Sequence, residues 1–299
     1  MRILVTGGTG FIGSAIVRKL VKDKHEVIVV GSTCEQPIAG VERILYMGLE
    51  GVNWDAIRNI DVLFHQGANN DTLFSDKDEM FRANVFSPMK LFYHLLNHKC
   101  RKFIYASSTA VYGAAKPPYD DKTEVNPLNI YGESKAKFDQ FALTFQEENP
   151  QIHVIGLRYC NVYGPGEAHK GSRMSMVGQI IRQLKSKGRV KLFNYGEQRR
   201  DWLYIDDAVS ANMGALYNDK KGIYNVGYGM SYSFNNIVEI ACEHLVLSDW
   251  KDRIEYVPCP FPDKYQFHTV CNIEKVSRDF KFTPHFSLDS GIEDYISRL

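Results

Sequence analysis

The sequence predicts a doubly wound α/β fold on a parallel sheet, with a smaller C-terminal α/β region, and three observations carry that expectation. Short apolar runs alternate with helical stretches through the first half of the chain. The first of these runs ends in a glycine cluster, Gly7-Gly8-Thr9-Gly10. After Gly164-Pro165-Gly166 the elements shorten, and Pro258, Pro260 and Pro262 interrupt any regular pattern. Parallel strands need crossover connections, which the intervening helices supply with right-handed sense.

In order along the chain, Arg2-Ile3-Leu4-Val5-Thr6 is a short apolar run suited to a strand covered on both faces. Ile12, Ile16, Val17 and Leu20 follow at helical spacing, with Arg18, Lys19, Lys22 and Lys24 as solvated charge. Glu26-Val27-Ile28-Val29-Val30 predicts the second strand and Asp61-Val62-Leu63-Phe64-His65 the next. A long helix is expected from about Glu79 to Asn97, then a strand at Lys102-Phe103-Ile104-Tyr105-Ala106. A further helix from about Tyr131 to Glu147 leads into a strand over Ile152–Arg158. No internal repeat, low-complexity tract or flexible linker interrupts the chain.

The 299 residues carry 36 basic and 35 acidic side chains, a net charge of +1, with 44% hydrophobic and 24% charged content. This composition excludes disorder and carries neither a nucleic-acid footprint nor a polybasic membrane surface. No apolar run reaches the roughly 18 residues of a membrane span. Met1 to Thr6 enter a strand pattern directly, which argues against a signal peptide, and a cytoplasmic location is expected. Cys34, Cys100, Cys160, Cys242, Cys259 and Cys271 are scattered without zinc spacing, so neither a metal site nor a disulfide framework is expected. The nine histidines, His94, His98 and His169 among them, read as solvent-facing or hydrogen-bonded. The 17 Tyr, 17 Phe and 3 Trp read as core and pocket walls rather than a base-stacking platform.

Thr6-Gly7-Gly8-Thr9-Gly10-Phe11-Ile12-Gly13 joins the first strand to the first helix. Its Gly7, Gly10 and Gly13 lack the Cβ that would keep backbone N–H groups from a pyrophosphate at the helix N-terminus. That strand–glycine–helix context predicts a Rossmann dinucleotide-binding domain over residues 1–165. Residues 166–299 would be mainly a substrate-binding region, the two sharing an interface with a cleft. No acidic residue closes Val29-Val30-Gly31-Ser32-Thr33 to receive the adenosine ribose hydroxyls. A 2′-phosphate would meet no repulsion there, which favours NADP, with NAD as the alternative.

Tyr131-Gly132-Glu133-Ser134-Lys135 sets a phenol and an amine one helical turn apart. A free phenol with a pKa of about 10 is a poor base at neutral pH. The lysine cation, together with a nicotinamide's positive charge, is expected to lower it. Ser108, in Tyr105-Ala106-Ser107-Ser108-Thr109 at a strand's carboxyl end, is placed to hydrogen-bond a reacting oxygen.

With these motifs the chain resembles the extended short-chain dehydrogenase/reductase family, the nucleotide-sugar epimerases and dehydratases. The resemblance runs almost end to end, through Thr6–Gly13, Ser107–Gly113, Tyr131 with Lys135, Asn161–Pro165 and Arg200–Asp207. It implies that Tyr131 and Ser108 handle a sugar hydroxyl proton, that Lys135 also holds the nicotinamide ribose, and that Arg200 lies near the sugar diphosphate. Phe64–Ala68, Asn126–Tyr131, Glu167–Ser172 and Phe261–Gln266 look like the narrower ADP-glycero-manno-heptose 6-epimerase pattern. That group uses NADP, and the lysine of its His-Lys-Gly segment, here Lys170, is a second acid/base. Gly31, where the narrower pattern carries an acidic residue, and Gly166, where it carries a basic one, depart from it.

The resemblance implies cofactor contacts from Gly7, Thr9, Gly10, Phe11, Ile12, Gly13, Ser32, Gln66, Gly67, Ala68, Asn84, Tyr131 and Lys135. Substrate contacts are implied for Ser108, Asn161, His169, Lys170, Arg200, Lys264 and Tyr265, and a homo-oligomer is expected. The competing enzyme reading is a nucleotide-sugar 4-epimerase, dehydratase or reductase, in which Lys170 binds phosphate rather than moving protons. A cofactor-binding scaffold is the non-enzyme alternative, and retention of Tyr131, Lys135 and Ser108 argues against it.

Overall fold

The computed structural model describes residues 1–31, 38–260 and 265–299. Its strands are β1 (Arg2–Thr6), β2 (Glu26–Gly31), β3 (Arg43–Tyr46), β4 (Val62–His65), β5 (Lys102–Ser108) and β6 (His153–Tyr159). They continue with β7 (Asn161–Tyr163), β8 (Val190–Phe193), β9 (Arg199–Tyr204), β10 (Gly222–Val226), β11 (Ser231–Ser233) and β12 (Ile254–Val257). The helices are α1 (Phe11–Lys22), α2 (Lys77–Phe81), α3 (Ser87–Asn97), α4 (Ile130–Glu148) and α5 (Met176–Lys187). The remainder are α6 (Ile205–Leu216), α7 (Phe234–His244), α8 (Glu274–Phe280) and α9 (Leu288–Ser297).

Seven strands form one sheet in the order β10-β6-β5-β4-β1-β2-β3, every neighbouring pair parallel. Chain order reverses at β1, which is flanked by β2 on one side and β4 on the other. At such a switch point the loops leaving two adjacent strands diverge and open a crevice at the carboxyl ends.

Successive residues of β1 point to opposite faces and both faces are covered. Ile3 and Val5 pack with Ile16, Val17 and Leu20 of α1. Leu4 packs on the other side with Phe92, Phe103, Phe138 and Phe145. Phe92 meets Phe138 edge-on at 5.3 Å and 88°, locking α3 against α4. A separate core of Val177, Ile180, Trp202, Phe234 and Ile292 fills the C-terminal region, and Phe11 of α1 is buried in it.

The expected helix over residues 79–97 is interrupted by a π-helical turn at Arg82–Phe86, where Asn84 is buried. β3 was not anticipated; it is a four-residue edge strand, half-exposed, without the apolar run that marks its neighbours. The division expected at residue 165 is crossed by the sheet, since β10 pairs with β6. α6 likewise packs Ala208, Ala211 and Leu216 into the core under α1. The later chain also forms the β11-β9-β7 and β12-β8 sheets. No helix among the described residues is long and apolar enough to cross a membrane.

Candidate active site

The β1–α1 loop sits at the switch point because its glycines let backbone touch backbone. Gly7 has a φ of +68°, and a Cβ there would overlap the backbone of Gln66 and Gly67 beyond β4. A Cβ on Gly13 would overlap the carbonyl oxygen of Gly7, so α1 rests directly on the loop. Gly10 is the N-cap and offers no side-chain cap, and the first turn carries no acidic residue. The leading N–H groups of α1 are therefore unclaimed by side chains, as an anion at a helix N-terminus requires. This glycine cradle fits the pyrophosphate of a dinucleotide.

Around it, Thr6 Oγ1 and His65 Nδ1 share a 2.7 Å hydrogen bond. Burial, with a smaller contribution from Lys135, pushes the His65 imidazole down to about 3. Gln66 accepts from Tyr159 at 3.4 Å and donates to Asn212 at 3.5 Å, Ala68 is exposed, and the side chains of Phe11 and Ile12 are packed into the protein. Contacts from Phe11 and Ile12 to a dinucleotide are thus confined to their backbone. Thr9 packs against Gly31 so closely that a Cβ on Gly31 would lie 2.9 Å from Thr9 Cβ and Cγ2. Asn84 is committed elsewhere: its Oδ1 accepts from Asn69 N at 2.8 Å, and its Nδ2 donates to Asn69 O and Ser134 Oγ at 2.9 and 3.0 Å. It ties the chain after β4 to α4. Ser32 and Lys264, expected cofactor and substrate contacts, lie outside the described residues.

α4 begins where Asn129 Oδ1 accepts the backbone N–H of Gly132 at 2.8 Å. Its first turn presses on the 3-10 turn Thr109–Tyr112, close enough that a Cβ on Gly132 would come within 2.7 Å of Ala110 O. Tyr131 is thereby brought into hydrogen-bonding contact with Ser108, whose Oγ also accepts from Ala110 N at 3.1 Å. Lys135 lies one turn on, its Nζ 5.9 Å from the Tyr131 ring centroid and donating to Ala106 O at 2.9 Å. Burial lowers the Lys135 amine to about 8, with Asp139 opposing.

Burial raises the Tyr131 phenol above the ordinary value, the Ser108 hydrogen bond pulls it partly back, and Asp139 raises it further. Desolvation of the phenolate is the largest of these effects. Sequence reasoning missed Asp139, although it follows Lys135 at the same four-residue interval that separates Lys135 from Tyr131. Its carboxylate accepts from Tyr105 at 2.9 Å and from Arg158 at 2.8 Å, and Arg158 also donates to Tyr112 at 2.9 Å.

Lys170 lies in a 3-10 run over Ala168–Arg173. Its Nζ is 5.1 Å from the centroid of the Phe11 ring, which brings it to the dinucleotide loop, and 3.5 Å from Glu167 Oε2. Glu167 is fully buried, a second residue to which sequence reasoning attached no role. Its carboxylate accepts from Ser175 N and Oγ, each at 2.6 Å, and from Tyr295 at 3.2 Å. Burial lowers the Lys170 amine, and Glu167 opposes that shift. His169 beside it is exposed.

Arg200 is 8% exposed and donates to Arg199 O at 2.9 Å. Its guanidinium carbon lies 4.9 Å from the Tyr265 ring centroid and 5.8 Å from that of Phe234. Among the described residues no carboxylate pairs with it. Asn161 donates to Asp201 O at 3.3 Å. The Asp201 carboxylate accepts from the backbone of Tyr228, Gly229 and Cys271 at 2.7, 3.1 and 3.2 Å. Burial raises it to about 6.

A glycine cradle at the switch point, a Tyr131–Ser108 pair beside Lys135 and a buried arginine in the later region together define a nucleotide-dependent α/β enzyme site. The chain belongs to the NAD dependent epimerase/dehydratase family, whose model matches residues 3–227. It is 35% identical to the ADP-L-glycero-D-manno-heptose-6-epimerase of Brachyspira hyodysenteriae, over 98% of this chain and 96% of that protein. The crystal structure of the Helicobacter pylori ADP-L-glycero-D-manno-heptose-6-epimerase superposes with a TM-score of 0.87 at 34% identity, covering 99% of this chain and 95% of that one. MoeE5 in complex with UDP-glucuronic acid and NAD superposes at 0.89 with 27% identity, covering 99% and 98%.

Proposed function

We infer that this chain is a nucleotide-sugar epimerase that inverts the exocyclic C6″ centre of an ADP-linked glycero-manno-heptose and uses NADP. The observation that carries this reading is a second protonatable amine, Lys170, whose Nζ stands over the ring of Phe11, the residue that follows Gly10 of the glycine cradle. Inversion needs proton transfer to an oxygen presented in two orientations. One tyrosine serves one of them.

When bound, a nicotinamide dinucleotide supplies a reversible hydride acceptor. Gly7, Gly10 and Gly13 would hold its pyrophosphate, and Lys135 its ribose. Tyr131 takes the proton from the C6″ hydroxyl while Ser108 holds that oxygen, and the substrate passes through a ketone. Lys170 handles the proton when the side arm has turned over. Arg200, a buried cation without a carboxylate partner among the described residues, is suited to the sugar diphosphate. Gly31, at the end of β2, leaves no carboxylate there to repel a 2′-phosphate, which supports NADP over NAD. Residues 1–165 would carry most of the dinucleotide contacts and 166–299 most of the sugar-nucleotide contacts.

The test is NMR of the sugar stereocentres after incubation with a panel of nucleotide sugars, using the native chain, Tyr131→Phe and Lys170→Met. C6″ inversion by the native chain is expected. Tyr131→Phe should lose turnover by at least about a hundredfold, and Lys170→Met should lose inversion while nucleotide-sugar affinity stays within a few-fold. Inversion at a ring C4 instead, with Lys170→Met losing affinity but keeping its maximal rate, makes Lys170 a phosphate anchor and replaces this reading with the 4-epimerase one.

A further inference from the structure

We propose that Asp55, His94 and His98 form a binding site for a divalent transition-metal ion of the zinc class, at the edge of the sheet opposite the crevice. Read along the chain, the two histidines have no third partner; the fold supplies one. His94 and His98 are four residues apart at the end of α3, and their ring centroids are 4.3 Å apart. Asp55, in the 3-10 turn Trp54–Ala56 between β3 and β4, brings Oδ1 to 3.8 Å from His98 Nε2. The three donor atoms lie within 4.8 Å of one another. Tetrahedral coordination at about 2.0–2.2 Å sets its donors about 3.3–3.6 Å apart, so these side chains would close by up to about 1.5 Å on the ion.

His94 carries the argument further. Its Nε2 is buried and has no hydrogen-bond partner. A buried imidazole nitrogen without a partner is a polar group that a bound ion would satisfy. The turn that carries Asp55 is itself anchored, by Trp54 Nε1 donating to Leu49 O at 3.1 Å and by Ile57 N donating to Trp54 O at 2.9 Å. Two histidines and one carboxylate on one side of an ion leave its other positions to water. The nearest opposing charge is Arg58, whose Nε is held by Asp55 O at 2.9 Å.

α3 runs back toward the start of β5, so its last turn lies at the amino ends of the strands. Ser108, Gly7 and Gly67 stand at the carboxyl ends. The ion would clip the β3–β4 connection to α3 and add to stability without entering the reaction.

Calorimetric titration of the chelator-treated full chain with zinc chloride tests this, alongside His98→Ala and Asp55→Ala. One ion per chain is expected, with affinity at least about tenfold weaker in each variant. Zinc should raise the melting temperature of the native chain and not that of His98→Ala. Unchanged zinc-free turnover and circular dichroism in the variants exclude misfolding as the cause. Zinc uptake by His98→Ala equal to that of the native chain, or no uptake by the native chain below millimolar zinc, overturns the site.

Discussion

Lys170 and Glu167 form an ion pair at 3.5 Å in which the carboxylate is fully buried and the ammonium faces the Phe11 ring of the dinucleotide loop. The pair fixes where the amine stands. Glu167 is in turn held by Ser175 at the cap of α5 and by Tyr295 of α9, so the position of Lys170 depends on two helices other than the α4 that carries Tyr131. Glu167 is a positioning residue for an amine that the proposed reaction uses as acid and base.

Glu167→Gln should lower turnover roughly tenfold or more, by misplacing that amine rather than removing it. Glu167 opposes the downward shift that burial imposes on Lys170, so its removal lets the amine lose its proton at lower pH. The Lys170 signal, followed by NMR of 13C-labelled lysine and assigned with Lys170→Met, should titrate at lower pH in Glu167→Gln. Ser175→Ala removes one hydrogen bond from Glu167 and should move the Lys170 titration less than Glu167→Gln does. Identical titration curves in all three proteins would show that Glu167 does not act on Lys170.

Lys135 makes stability depend on pH in a direction that can be checked. Its amine is lowered to about 8 in the folded chain from an ordinary 10.5. Between these values the unfolded chain binds more protons than the folded one, so stability gains with rising pH. Relative to Lys135→Met, the native chain should gain about 3 kcal/mol between pH 8 and 10.5, measured by urea unfolding. Parallel curves for the two proteins across that window would place the amine's titration elsewhere.

Cofactor choice can be moved at the Thr9–Gly31 contact. A Cβ at position 31 has no room while Thr9 Oγ1, Cβ and Cγ2 stand against it. Thr9→Gly together with Gly31→Asp should seat a carboxylate at the end of β2. NADP affinity should fall at least about tenfold relative to Thr9→Gly alone, with NAD affinity unchanged or improved, by calorimetry. Equal losses for both cofactors would mean that the ribose phosphate lies away from position 31.

The alternation of apolar runs and helical spacing was sufficient for the parallel sheet, because strands covered on both faces must be apolar throughout, as Ile3, Leu4 and Val5 are. The glycine spacing at Gly7, Gly10 and Gly13 and the four-residue interval from Tyr131 to Lys135 were likewise readable, since both are local constraints on backbone and helix face. β3 was not, because an edge strand buries too little to need a distinctive sequence. Nor was the return of β10 to the first sheet, which depends on a pairing with β6 more than sixty residues away. Burial, decided only by the packed chain, set the balance at Tyr131 and held Arg200 without a carboxylate partner among the described residues. The same holds for partners distant in sequence: Tyr295 reaches Glu167, and Asp55 meets His94 and His98, through contacts that no local periodicity encodes.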